Sequence, residues 1–268
     1  MKKQRILSWF LCAVMLLSLL PSTALAADTT GWLGASGNEL YVGGVPVTSE
    51  NAGDITGTGI TSGTASFTVE GGVPTLVLDG VTIKDGYKDS DYGDGEWYNK
   101  IYGIYFKSAD KEVLKIKFSG ENVIAAEKPE EKDAIYGVST HSKEGIAFEG
   151  DKNAKLRIES ERVAVYSKGA LSMNGGEYNI KTVNDDYSSG EALYCSGPLT
   201  IENANMTASA DKNRGIWMRS LGDEDITLIK DSTLKVTGGT VGTAAPCEAI
   251  FSWGDIVIEN STVDATGD

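Results

Sequence analysis

Aromatic residues recur along this chain at one place in a repeated phrase, and cations recur two residues after them. The phrase reads GIYFKS from Gly103, GVSTHS from Gly137, AVYSKG from Ala164, ALYCSG from Ala192, GIWMRS from Gly215 and AIFSWG from Ala249. Strand alternation sends the aliphatic and the residue two positions later inward, and the residue between them outward. The outward set is then Tyr105, Ser139, Tyr166, Tyr194, Trp217 and Phe251. Lys107, His141, Lys168, Ser196, Arg219 and Trp253 follow on the same face. Flat rings grip the apolar faces of sugars because they bury a large area at little entropic cost. Cations beside them suit carboxylated sugars. Tyr105, Tyr166, Tyr194, Trp217, Phe251, Lys107, Lys168, Arg219 and Trp253 are therefore the candidate carbohydrate-binding residues. Two other readings stay open at this point. Outward aromatics one repeat apart also stabilise a sheet by packing on each other, and an inverted alternation puts them in the core.

Acidic residues gather between the repeats. The densest stretch, DGYKDSDYGDGEW, carries Asp85, Asp89, Asp91, Asp94 and Glu96. Its spacing is one residue longer than the opening of a helix–loop–helix calcium loop and lacks the terminal glutamate, which excludes that motif. An Asn or Asp also lies four residues before the small residue at Asn99, Asp133 and Asp211. Carboxylates repeated at one corner can share hard cations between repeats, which makes Asp89, Asp91, Asp94, Asp133 and Asp211 candidate calcium ligands. Solvated acidic loops explain the same pattern. Catalytic constellations are thin: His141 is the single histidine, it has no Cys or Ser partner phrase, and it reads as a surface residue. No catalytic residue is assigned.

These side chains need a scaffold that repeats. The segments LVLDGVTI, LKIKFSGENVI, LSMNGGEYNI, LTIENANMTA, LIKDSTLKV and IVIENSTVDA alternate apolar and polar residues with period two, as strands do. Their central apolar residues, with Phe148 of GIAFEG added, are Leu78, Ile116, Phe148, Met173, Ile201, Ile229 and Ile258, at steps of 38, 32, 25, 28, 28 and 29. Such a period marks a stacked repeat architecture. Seven residues after the last four anchors come Ile180, Ala208, Val236 and Ala265, the inward residues of a second strand. Two strands plus the aromatic phrase make one coil. The expected fold is an all-β, right-handed parallel β-helix, since crossovers in parallel sheets are overwhelmingly right-handed.

The chain begins with Lys2, Lys3 and Arg5, then an apolar run to Leu20, then Ala24-Leu25-Ala26. That order is a secretory signal with cleavage after Ala26, and the run is too short to span a membrane. Residues 1–26 are read as signal peptide, 27–70 as an N-terminal β cap and 71–268 as β-helix, with further coils expected beyond Asp268. The product is expected to be secreted or held at the cell surface, monomeric, without membrane insertion. The full chain carries a formal charge of −14, and losing residues 1–26 removes three positive and no negative charges, leaving −17. Such acidity disfavours nucleic-acid partners. Cys195 and Cys247 sit at different places two coils apart and are expected to remain separate thiols.

The cap phrase ELYVGGVPVTSENA and the recurring [GA]-[IVL]-x-x-x-G with ENS, DST and ENA turns resemble a family of secreted, mainly clostridial, surface proteins described as carbohydrate-binding-domain proteins. The likeness covers about residues 38–268. It implies a pectate-lyase-like parallel β-helix, calcium between coils, and binding of plant polysaccharide including acidic pectic chains. Departures fall at Ser160-Glu161-Arg162 and Ala245-Pro246-Cys247. The expected function is non-catalytic binding of extracellular polysaccharide on the aromatic face of a calcium-stabilised β-helix. The alternatives are a lyase acting on uronate-containing glycans, with a Lys or Arg taking the proton beside calcium, and a structural surface stalk.

Overall fold

The computed structural model describes residues 29–89, 99–109, 112–127, 133–183, 190–219, 225–241 and 245–267. Alternation in the sequence becomes alternation in burial. Leu114–Ser119, Lys155–Ser160, Glu177–Thr182, Asn205–Ala210 and Thr233–Thr237 each bury every second residue and leave those between partly or fully exposed. The chain is all-β with long parallel sheets, and its strands fall into three ladders visited in the same order by successive repeats.

The first ladder stacks Leu114–Ser119, Gly145–Gly150, Ala170–Asn174, Leu199–Glu202, Thr227–Lys230 and Ile256–Glu259. The second stacks Glu121–Ile124, Lys155–Ser160, Glu177–Thr182, Asn205–Ala210, Thr233–Thr237 and Thr262–Thr266. The long strand Val73–Ile83 begins both, pairing Leu114–Ser119 with one half and Glu121–Ile124 with the other. The third ladder stacks Lys100–Lys107, Ala134–Thr140, Val163–Ser167, Leu193–Cys195, Ile216–Met218 and Ile250–Ser252.

Register follows the expected anchors from Ile116 onward: Ile116, Phe148, Met173, Ile201, Ile229 and Ile258 stand opposite one another in turn. The first anchor is different. Leu76, not Leu78, faces Ile116, and Leu78 faces Phe118. A slip of two residues leaves every side chain on the same face, so alternation alone cannot separate the two leucines. In the second ladder Ile180, Ala208, Val236 and Ala265 are in register as expected.

The glycine that opens three of the six aromatic phrases has a steric cause. A Cβ at Gly103, Gly137 or Gly215 would collide with Ile124, Ile158 or Val236, the inward residues of the second ladder. At the N-terminal end the ladders meet antiparallel strands. Glu39–Val42 pairs antiparallel with Lys100–Lys107 and forms a hairpin with Val45–Pro46 through Gly43 and Gly44, both at positive φ. Ile60–Glu70 pairs antiparallel with Val73–Ile83. Helix 29–34 sends Trp32 into the core against Phe67 and Phe106, with ring centroids 5.2 and 5.6 Å away. At the other end the inward column of the first ladder passes from fully buried Ile229 to Ile258, which is 51% exposed.

Candidate functional site

The third ladder carries the aromatic phrases. Its aliphatics Ile104, Val138, Val165, Leu193 and Ile216 are buried, as are Phe106, Thr140, Ser167, Cys195 and Met218 two positions later. The residues between them share one column, because pairing sets Tyr105, Ser139, Tyr166, Tyr194, Trp217 and Phe251 opposite one another in sequence. Tyr166, Tyr194, Trp217 and Phe251 are half-buried. The Tyr166 and Tyr194 rings stack at 5.1 Å and 2°. Trp217 meets Tyr194 edge-on at 5.3 Å and Phe251 at 6.4 Å. Burial raises the Tyr166 phenol above its ordinary value, with Tyr194 adding to the effect.

Tyr105 is only 6% exposed. Tyr87 covers it at 5.1 Å and stacks in turn on Tyr41, the antiparallel register partner of Tyr105, at 3.9 Å. Burial, then the charges of Glu39 and Asp89, push the Tyr105 phenol well up.

Ser139 would break the column. The His141 imidazole fills the gap, 5.2 Å from Tyr105 and 6.0 Å from Tyr166. This corrects the expectation of an exposed surface histidine, since His141 is half-buried. Burial first, then Lys168 and Lys100, hold its pKa below the ordinary 6.5, with Asp89 opposing. Burial and the neighbouring lysines favour its neutral form.

Tyr102 and Tyr136 escaped sequence reasoning. They are register partners with rings 5.2 Å apart, and Tyr102 also lies 5.1 Å from Tyr105. Strict alternation assigns only one of two residues three apart to a face. Tyr102 is buried at 2% exposure and Tyr136 is half-buried, so this pair extends the ring contacts beneath the column. The signal was the repeated IYG at Ile101 and Ile135. Together these side chains form an unbroken run of aromatic contacts from Tyr41 to Phe251.

The cations are unequal. Lys107 is bonded to Glu39 at 2.7 Å across the antiparallel strand. Lys168 and Arg219 are exposed, and the Arg219 guanidinium lies 5.6 Å from the ring of Trp253, itself 59% exposed. Arg214, which the sequence did not single out, lies 4.7 Å from the ring centroids of both Trp217 and Phe251.

Three of the acidic candidates lie among the described residues. Asp133 is buried, accepts a 2.5 Å hydrogen bond from Asn99 Nδ2, and faces Lys88 Nζ at 3.5 Å. Asp211 faces Lys181 at 3.7 Å. Asp89 ends the short strand Tyr87–Asp89 beside Lys100–Lys107. Asp91 and Asp94 lie outside the described residues. Among the described residues no three His, Cys, Asp or Glu side chains come together to hold a metal. Calcium takes six to eight oxygens, and Asp133 and Asp211, each beside a lysine, do not fit that demand. Cys195 and Cys247 are buried free thiols, as expected, and burial pushes the Cys195 thiol up to about 12. Among the described residues no helix is long and apolar enough to cross a membrane. Comparison of the chain with protein-family models, with curated proteins and with solved structures finds no match.

Proposed function

We propose that this chain binds extracellular polysaccharide along the aromatic face of the third ladder, without turning it over. We also read the three ladders as a right-handed parallel β-helix, with residues 27–70 as its N-terminal cap. One observation carries the functional reading: Tyr166, Tyr194, Trp217 and Phe251 occupy consecutive rungs of one column and remain half-accessible. Consecutive rungs lie roughly 4.8 Å apart, so the column offers one ring per rung to an extended chain of sugars. Lys168, Arg219 and Trp253 stand exposed along its border. The secretory signal and the resemblance to carbohydrate-binding surface proteins point the same way. Calcium remains a proposal only for the acidic segment that starts at Asp89, and is read from the thermal midpoint in calcium against chelator. A glycan array probed with residues 27–268, with and without calcium, tests the function: binding to polysaccharide is expected, and a blank array sinks it.

A second reading has its own observation. Tyr105 is closed over by Tyr41 and Tyr87, so at its N-terminal end the column packs as a sheet-stabilising ladder. A surface stalk uses the whole column in that way. Only the segment from Tyr166 onward is therefore assigned to sugar.

A further inference from the structure

Arg214 is placed to decide whether the last two rings of the column are open. Two residues before the paired aliphatics Leu193, Ile216 and Ile250 stand Glu191, Arg214 and Glu248. Arg214 thus has an acid on each neighbouring rung. Its guanidinium lies 4.7 Å from the Trp217 centroid and 4.7 Å from that of Phe251, where cation–π attraction holds it. Its Nε donates to Glu248 Oε2 at 3.0 Å. A sugar ring stacking on Trp217 or Phe251 would need the space that the guanidinium takes.

The two acids differ in a way that matters. Glu248 has a side chain 50% exposed, and that of Arg214 is 26% exposed, so water weakens their pairing. Glu191 is 3% exposed and feels the charges of both Arg214 and the buried Arg162. The covering Arg214 holds two rings and a weak ion pair, and an Arg214 withdrawn from them would still have the Glu191 carboxyl on the neighbouring rung. Two discrete arrangements close in free energy are what a small switch requires.

We propose that Arg214 is a two-position cover on the aromatic face, resting on Glu248 above Trp217 and Phe251 without ligand and moving toward Glu191 when a sugar takes the rings. This rests on the polysaccharide reading for the ligand that displaces it, but not for the cover itself. The cover has consequences without any glycan. Trp217 is shielded by Arg214, and loosening Arg214 exposes the indole.

The test measures acrylamide quenching of Trp217 fluorescence in residues 27–268, taken as the difference between each protein and its Trp217→Phe counterpart. Glu248→Gln removes the latch and Arg214→Gln removes the cover. Both are expected to raise the quenching of Trp217. The same variants are then bound to insoluble plant cell-wall polysaccharide, where Glu248→Gln is expected to gain about two- to five-fold in affinity, the range an exposed ion pair is worth. Quenching unchanged in both variants overturns the cover, whatever the glycan result. Raised quenching with no glycan bound by any of the proteins upholds the cover and removes the polysaccharide reading instead.

Discussion

The imidazole of His141 occupies the rung that Ser139 leaves without a ring, 5.2 Å from Tyr105 on one side and 6.0 Å from Tyr166 on the other. A residue just past the end of the strand Ala134–Thr140 restores the aromatic run. The packed N-terminal end of the column and its more open C-terminal end are joined by this one side chain.

Replacing it therefore uncouples the two ends. His141→Ala leaves a gap between Tyr105 and Tyr166, and a loss of about 1–2 kcal/mol in unfolding free energy is expected from the missing ring contacts and the partly filled space. His141→Phe is expected to recover most of it. Denaturant unfolding of the two variants checks this, and equal stability of His141→Ala and wild type would remove the imidazole from the packing.

The same residue sets a pH dependence. Folding depresses the pKa of His141 below 6.5, so the folded state binds its proton less readily than the unfolded chain. Its contribution is complete above 6.5 and declines as pH falls from 6.5 toward the lowered folded value. Glu191, whose carboxyl burial raises above 4.5, contributes the opposite slope in wild type and variant alike. Thermal midpoints followed from about pH 8 to about pH 5 are expected to fall more in the wild type than in His141→Phe. Parallel curves contradict it.

Gly215 tests the packing between ladders. Gly215→Ala drives a methyl into the Val236 side chain and against the carbonyl oxygens of Thr237 and Ala249, at an expected cost of about 1–3 kcal/mol. One rung earlier Ala192 and Ala208 occupy the corresponding places, so a methyl there is accommodated by a smaller partner. Val236→Ala is accordingly expected to recover part of the loss in a double-mutant cycle. Additive losses would mean that the two positions do not share space.

Much of this was legible in the sequence because the repeats constrain one another. A register that aligns Ile116, Phe148, Met173, Ile201, Ile229 and Ile258 also aligns Tyr166, Tyr194, Trp217 and Phe251. What was hidden depends on breaks in that regularity. Leu76 and Leu78 share a face, so the first anchor could slip by two. Tyr102 and Tyr105 lie three apart, so alternation does not pair them, yet their rings meet at 5.1 Å. The Lys107–Glu39 pair crosses 68 residues through an antiparallel strand, a contact that no local spacing encodes. Asp133 looked like a calcium ligand by position, yet Asn99 donates to its Oδ1 and the Lys88 ammonium stands 3.5 Å from its Oδ2.

That assignment has its own check. Asp133→Ala removes a buried hydrogen bond to Asn99 Nδ2, and a loss of about 1–3 kcal/mol is expected from the lost bond. The loss is expected to be the same in calcium and in chelator. A loss seen only in calcium would return Asp133 to the role of metal ligand.

The central claim is that the half-accessible rings from Tyr166 onward hold polysaccharide. Its most direct measurement is the affinity of residues 27–268 for an array-selected insoluble glycan, before and after Tyr194→Ala together with Trp217→Ala, with thermal midpoints confirming that both proteins are folded. Loss of roughly ten-fold or more in affinity is expected, since clustered aromatic anchors dominate such contacts. Binding by the folded double variant at wild-type strength would contradict the assignment of this face to sugar.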